Sequence, residues 1–412
     1  MAIDCIPLDE FTARRKQLLR HLDGAVGLIF AGTHDPHDPN PWRPDPNFEY
    51  LTGITDEGDA CILFDPTNPV ESRRVMLFLR PLNPELEKWD GLREPISSSL
   101  RDTTGMATIF RLAALPRFLM LAARRSRRLA CLHALAMHTQ PVSQDLTLFR
   151  QVAERIPGVT IEDRSNVLPA MRAVKSKNEV AMIRRAVEIT ARGFEAAMRS
   201  VAAGQNEFDV QETLEHTYRR NGSRRTAFHT IAGSGINSTV LHYRANDQPL
   251  EDGDLMVIDS GATFQGYSAD VTRTIPVNGR FTDRQREVYD IVLKALAAAT
   301  RAAKPGVTLA KLDKAARDVI TKAGYGDAFI HGIGHHLGLE THDADPDAPL
   351  QAGAVITIEP GIYLPDEKIG VRIEDDVVIT AKGATVLSKM VPKQADEIER
   401  VMAGKKASPS RS

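Results

Sequence analysis

The chain is 412 residues long, 42% hydrophobic and 26% charged, with a formal net charge of −2. That length exceeds one ordinary core and predicts two domains, and the composition is that of a globular protein rather than a disordered or fibrous one. The near-neutral balance gives no reason to expect nucleic acid or an anionic membrane as a partner. Cys5, Cys61 and Cys131 are widely spaced and odd in number, which predicts reduced thiols. The opening residues lack the charged and apolar regions of a signal peptide, and no apolar run approaches the roughly 20 residues of a membrane span. The expected location is the cytoplasm, with neither membrane nor nucleic acid as a partner.

Residues 1–165 read as an α/β domain. Residues 11–22 predict a basic amphipathic helix and residues 25–30 a strand. A loop rich in Pro, Asp and His spans 32–47, and its His34 and His37 read as loop residues rather than metal ligands. Strands follow at 60–64 and 75–79, and helices at 107–123 and 143–155. Arg124, Arg125, Arg127 and Arg128 read as a solvated helix end. Trp42 and Trp89, the two tryptophans, sit in polar, proline-containing surroundings that suit either packing or an interface.

Residues 166–175 read as a linker, 176–403 as a second domain and 404–412 as a disordered polar tail. Helices are predicted at 177–198, where Val180, Ile183, Ala186, Ile189 and Phe194 keep the period of one buried face, and at 208–220. Strand and loop then lead to His242. The apolar run Leu255 to Ile258 enters the string DSGATFQGYSADVTRT at Asp259. Gln265-Gly266 is its best two-residue turn, so Phe264 pairs with Tyr267, and counting back sets Gly261 opposite Asp270. Asp259 and Asp270 then share one face as diagonal neighbours, roughly 7 to 8 Å apart. Two carboxylates ending an apolar strand repel unless a positive charge lies between them, and a divalent metal is the economical answer.

Helices at 283–303 and 309–323 flank the breaker Pro305-Gly306. After them comes HGIGHHLGLETHD, from His331 to Asp343, whose glycines let backbone and histidines crowd together. A second hairpin follows in ITIEPGIYLPDEKIGVRIEDDVVIT. A turn centred on Asp366 and Glu367 sets Glu359 opposite Glu374 on one face. Helices followed by acidic hairpins hint at an internal duplication, without a repeat at the level of residues.

Asp259, Asp270, His335, Glu359 and Glu374 suffice for two metal ions, roughly 3.5 to 4 Å apart in such sites. The oxygen-rich shell with one imidazole favours Mn²⁺, Co²⁺ or Fe²⁺ over a structural Zn²⁺, and leaves Mg²⁺ open. The reaction class implied is metal-assisted hydrolysis, with peptide and phosphoester substrates both open on the ligands alone.

Residues 170–400 resemble the pita-bread (M24) metallopeptidases, the family of methionine aminopeptidase, prolidase and aminopeptidase P. The strings LHYRAND, DSGATFQGYSADVTRT, HGIGHHLGLETHD, TIEPGIY and VRIEDDVVIT are similar to its proline-specific branch. NFEYLTGITDEGDACILF and ELEKWDGLRE resemble the N-terminal domain of aminopeptidase P. The resemblance implies an α+β architecture, with a creatinase-like α/β domain ahead of a pita-bread catalytic domain. It implies Asp259 on one metal, Asp270 and Glu374 bridging, and His335 and Glu359 on the other, with Glu359 also shuttling a proton. His242 and His342 match histidines that hold substrate and oxyanion, His331 the proline pocket, and Tyr363 and Arg372 its neighbours. Arg372 also suits plain neutralisation of the acid around Glu374. His229 and His336 read as structural, as do Asp375 and Asp376.

The activity implied is that of a Xaa-Pro aminopeptidase with two divalent ions, manganese first, acting on peptides with proline second. A homo-oligomer is expected, with Trp89 at its interface. The alternatives are a prolidase cleaving Xaa-Pro dipeptides and a non-catalytic pita-bread binding protein.

Overall fold

The computed structural model describes residues 5–33, 42–136 and 138–404, in two units that meet in sequence at Met171 and Arg172. The first unit contains α1 (Leu8–His21), β1 (Val26–Phe30), α2 (Pro46–Thr52), β2 (Cys61–Phe64), β3 (Val75–Leu79), α3 (Pro84–Asp90) and α4 (Ser98–Thr104). It continues with β4 (Ile109–Arg111), α5 (Leu115–Ser126), β5 (Arg128–Cys131), α6 (Gln144–Arg155) and β6 (Thr160–Asp163). The strands form one mixed sheet in the order β4-β3-β2-β1-β5-β6. β1, β2 and β5 are buried along nearly their whole length, as unbroken apolar runs covered on both faces require.

Residues 107–123 are not one helix. They hold β4 and then α5, and Pro116 in the first turn of α5 fixes where the helix begins. The basic run is divided as well: Arg125 pairs with buried Asp65, while Arg128 opens β5 and pairs with Glu162 at 2.5 Å. Short helices α2, α3 and α4 are capped by Asp45, Asn83 and Ser97. His34, His37 and the tail from residue 405 lie outside the described residues. Trp42 donates its indole N–H to the Thr33 carbonyl, and Trp89 is 86% exposed.

Helix α7 (Val167–Ala173) occupies the stretch read as a linker. The second unit continues with α8 (Lys177–Ser200), whose Ser176 and Glu179 form a capping box, then α9 (Glu207–Arg220) and β7 (Ile231–Ser234). β8 (Leu255–Ser260), β9 (Thr263–Phe264), β10 (Tyr267–Ser268) and β11 (Val271–Pro276) make the first hairpin. Helices α10 (Asp283–Ala302) and α11 (Leu309–Lys322) precede the second, made of β12 (Val355–Ile358), β13 (Gly361–Leu364), β14 (Ile369–Arg372) and β15 (Asp375–Thr380). β16 (Gly383–Val386) and α12 (Ala395–Ala403) end the unit. Among the described residues no helix is long and apolar enough to cross a membrane.

Both hairpins have the register that their turns predict. Phe264 pairs with Tyr267, and Thr272 lies opposite Asp259. Gln265 and Gly266 have φ of 48° and 81°, the two positive values of a type I′ turn. Gly261 is obligatory, since a Cβ there would lie 1.7 Å from the Ala269 carbonyl oxygen. In the second hairpin Ile358 pairs with Asp375 and Gly361 with Arg372, which leaves Glu359 and Glu374 facing one another between two paired segments.

Candidate active site

A cavity of about 520 Å³ opens in the second unit, lined by Asp259, Asp270, His335, Glu359 and Glu374 together with His242, His331, His342 and Arg372. Each hairpin supplies two of the carboxylates and the Gly/His segment supplies three histidines. Asp270, His335 and Glu374 offer donor atoms within 4.8 Å of one another. His335 Nε2 lies 3.5 Å from Asp270 Oδ2 and 3.6 Å from Glu359 Oε1. Tyr363 stands behind the wall, with its hydroxyl 2.8 Å from His331 Nε2.

Hydrogen bonds fix the histidine tautomers. His335 donates from Nδ1 to the His336 carbonyl at 3.0 Å, so the neutral ring turns its Nε2 lone pair toward the carboxylates. His331 donates from Nδ1 to the Gly332 carbonyl, so its Nε2 accepts from the Tyr363 hydroxyl. That hydroxyl in turn accepts from Arg372 Nη1 at 3.1 Å. Burial holds both imidazoles neutral, with pKa values pushed down to about 4. His342 stacks on His335 at 3.9 Å between ring centroids.

Burial, reinforced by their neighbours, raises the Asp270 and Glu374 carboxyls well above the usual range and lifts Glu359 to about 7. Asp259 Oδ1 and Asp270 Oδ1 are buried without a hydrogen-bond partner. Clustered acids, orphaned oxygens and an imidazole lone pair aimed among them form a donor set that suits divalent cations. Arg372 does not touch Glu374 directly. It pairs with Asp259 Oδ2 at 2.7 Å and reaches Glu374 through the Thr272 hydroxyl.

Several parts of the site carry no local signal in the chain. Phe228, His229, Ile231, Leu241, Arg244 and Thr341 also line the cavity. His229 is satisfied by the Arg244 carbonyl at 2.8 Å. Asp376 accepts from the Asp270 backbone N–H, and Asp375 from Arg273, Ser388 and Lys393, so both are structural acceptors. His336 is buried, with Nε2 3.8 Å from Asp345.

Asp343, next to His342, is clamped by Arg172 and by Lys175 at 2.9 Å. Burial alone would raise its pKa, but Lys175 and Arg172 hold it down to about 2. A depressed folded-state pKa gives stability that is present above the unfolded value near 4 and is lost as pH falls toward 2. The wild type is expected to lose on the order of 2 kcal/mol across that window through this one group. Asp343→Asn should be weaker at pH 7 and flatter between pH 4 and 2. Urea midpoints against pH check this, and parallel slopes for the two proteins would refute it.

Residues 181–381 match the metallopeptidase family M24 model and residues 11–130 the aminopeptidase P N-terminal domain. A Xaa-Pro aminopeptidase of Haemophilus influenzae is 32% identical, over 96% of this chain and 98% of the relative. A Xaa-Pro dipeptidase of Pyrococcus furiosus is 44% identical, but over 54% of this chain and 65% of the relative. The solved structure of Pseudomonas aeruginosa aminopeptidase PepP is similar with a TM-score of 0.87 at 31% identity, covering 97% of this chain and 99% of that one.

Proposed function

The chain belongs to metallopeptidase family M24, with the N-terminal domain of aminopeptidase P ahead of the catalytic domain, and from that membership we propose a Xaa-Pro aminopeptidase. The observation that carries this is the convergence of Asp270, His335 and Glu374 on the floor of a cavity that Asp259 and Glu359 also line. The choice over a prolidase is supported by the reach of the likeness, which runs through both domains for the aminopeptidase and through about half the chain for the dipeptidase.

On this reading Asp259, Asp270, His335, Glu359 and Glu374 hold two divalent ions, manganese first, with cobalt, zinc and iron as alternatives. When bound, such a pair supplies Lewis acidity and a water that is nucleophilic near neutral pH. Glu359 accepts the proton of the attacking water and delivers it to the proline nitrogen as the peptide bond breaks. His242 and His342 donate hydrogen bonds to substrate and to the oxygen that becomes anionic. The proline ring rests against His331, whose orientation Tyr363 and Arg372 maintain. Proline needs such a pocket because its tertiary amide and fixed φ exclude it from ordinary peptidase sites.

Three free cysteines are consistent with the cytoplasm as location. Leu86, Trp89 and Leu92, exposed by 51, 86 and 92%, offer an apolar surface to a second copy. The reading is tested with metal-stripped protein given Xaa-Pro-Yaa and Xaa-Pro peptides after addition of Mn²⁺, Co²⁺ or Zn²⁺. Cleavage of the tripeptide with sparing of the dipeptide is expected, and to be fullest with Mn²⁺. Cleavage of the dipeptide alone would make it a prolidase, and silence with every metal would make it a binding protein.

A further inference from the structure

Two arginines line the cavity, and their situations are opposite. Arg372 is buried and its guanidinium is engaged by Asp259, Tyr363 and Thr272. Arg244 is exposed, and among the described residues its guanidinium meets neither an acid nor a carbonyl.

The backbone that presents Arg244 is held on both sides. Tyr243 donates its hydroxyl to Glu207 Oε2 at 2.8 Å. Asn246, fully buried with φ of 47°, donates to the Thr230 carbonyl at 2.7 Å and accepts from the Ala232 N–H at 3.0 Å. His229 holds the Arg244 carbonyl itself. The guanidinium is thus an uncommitted cation on a fixed mount, so the backbone beneath it need not reorder when a partner is placed on it.

A peptide carries a cation at its amino end and an anion at its carboxyl end. Among the described side chains that line the cavity, Arg244 is the uncommitted complement to the second of these. A cavity of about 520 Å³ encloses a small ligand. Only a short peptide has its carboxylate within such a space, since a long one ends outside it. We propose that Arg244 recognises the free C-terminal carboxylate of short substrates, so that Xaa-Pro-Yaa tripeptides are preferred over the same sequence blocked or extended at its carboxyl end. The inference rests on the Xaa-Pro aminopeptidase reading and names the substrate class within it.

The test compares a Xaa-Pro-Yaa free acid with its C-terminal amide, using the metal-loaded enzyme. The acid is expected to have about tenfold higher kcat/KM, the worth of one charge-assisted hydrogen bond at a partly exposed site. The difference should lie in KM, because the contact is made equally in ground and transition states, and it should shrink as salt is raised. In Arg244→Ala the acid-to-amide ratio should fall to about one, and Arg244→Lys should retain part of the preference. A wild-type ratio near one overturns the inference and leaves the aminopeptidase reading standing. A full preference that survives in Arg244→Ala assigns the carboxylate to another group and overturns it as well. Hydrolysis of neither peptide removes the aminopeptidase reading and the inference together.

Discussion

Glu359→Ala is expected to lower kcat by on the order of 10⁴-fold or more while the protein stays folded. The substitution removes a proposed metal donor and the proton carrier at once, and no neighbour can replace either. His335 Nδ1 is tied to the His336 carbonyl, and Glu374 is held through Thr272. Stability should move the other way. Glu359 is among the charges that push Asp270 and Glu374 upward, so its removal relieves repulsion in the metal-free protein. The metal-free variant should therefore melt at or above the wild-type temperature, a trade of stability for activity concentrated in one side chain. Single-turnover assays, metal content and circular dichroism together separate these effects. Wild-type turnover in the variant would remove Glu359 from the mechanism.

Arg273→Ala is expected to cost about 3 to 5 kcal/mol, the scale of breaking a buried ion pair from one side. Arg273 is completely buried and donates to Asp375 at 2.9 Å and to the carbonyls of Thr272, Glu374, Val391 and Pro392. Removing the side chain takes its N–H donors from those carbonyls, of which Thr272 keeps the Glu374 N–H. It also loosens the backbone of Glu374, so metal affinity should fall along with stability. Urea denaturation and metal titration measure the two effects. A variant within about 1 kcal/mol of wild type would mean that Ser388 and Lys393, the other partners of Asp375, carry the junction without Arg273.

The hairpins are legible in the sequence because their logic is local. A two-residue turn at Gln265-Gly266 and an exposed tip at Asp366 and Glu367 fix the register, and the period of two then decides which carboxylates share a face. The short helices of the first unit also had signals, Asp45-Pro46 and Asn83-Pro84, in which a cap residue precedes proline at the first helical position. Prolines read as loop residues hide those starts, and Pro116 was obscured in the same way inside a longer apolar stretch. The rest depends on partners far along the chain. Arg273 in a strand looks solvated until Asp375 arrives 102 residues later, and Arg172 meets Asp343 across 171. His229 and Arg244 become cavity walls only once the strands have assembled.

The second hairpin is paired twice, by β12 with β15 on one side of the carboxylates and by β13 with β14 on the other. Glu359 and Glu374 are therefore held in register from the core side, independently of how the chain turns back at 365–368, where every residue is exposed. That separation makes the tip an insertion point. An affinity tag, a fluorescent reporter or a whole domain could be spliced between Asp366 and Glu367 without shifting either carboxylate, whereas a single residue added between Glu359 and Gly361 would turn the two carboxylates to opposite faces.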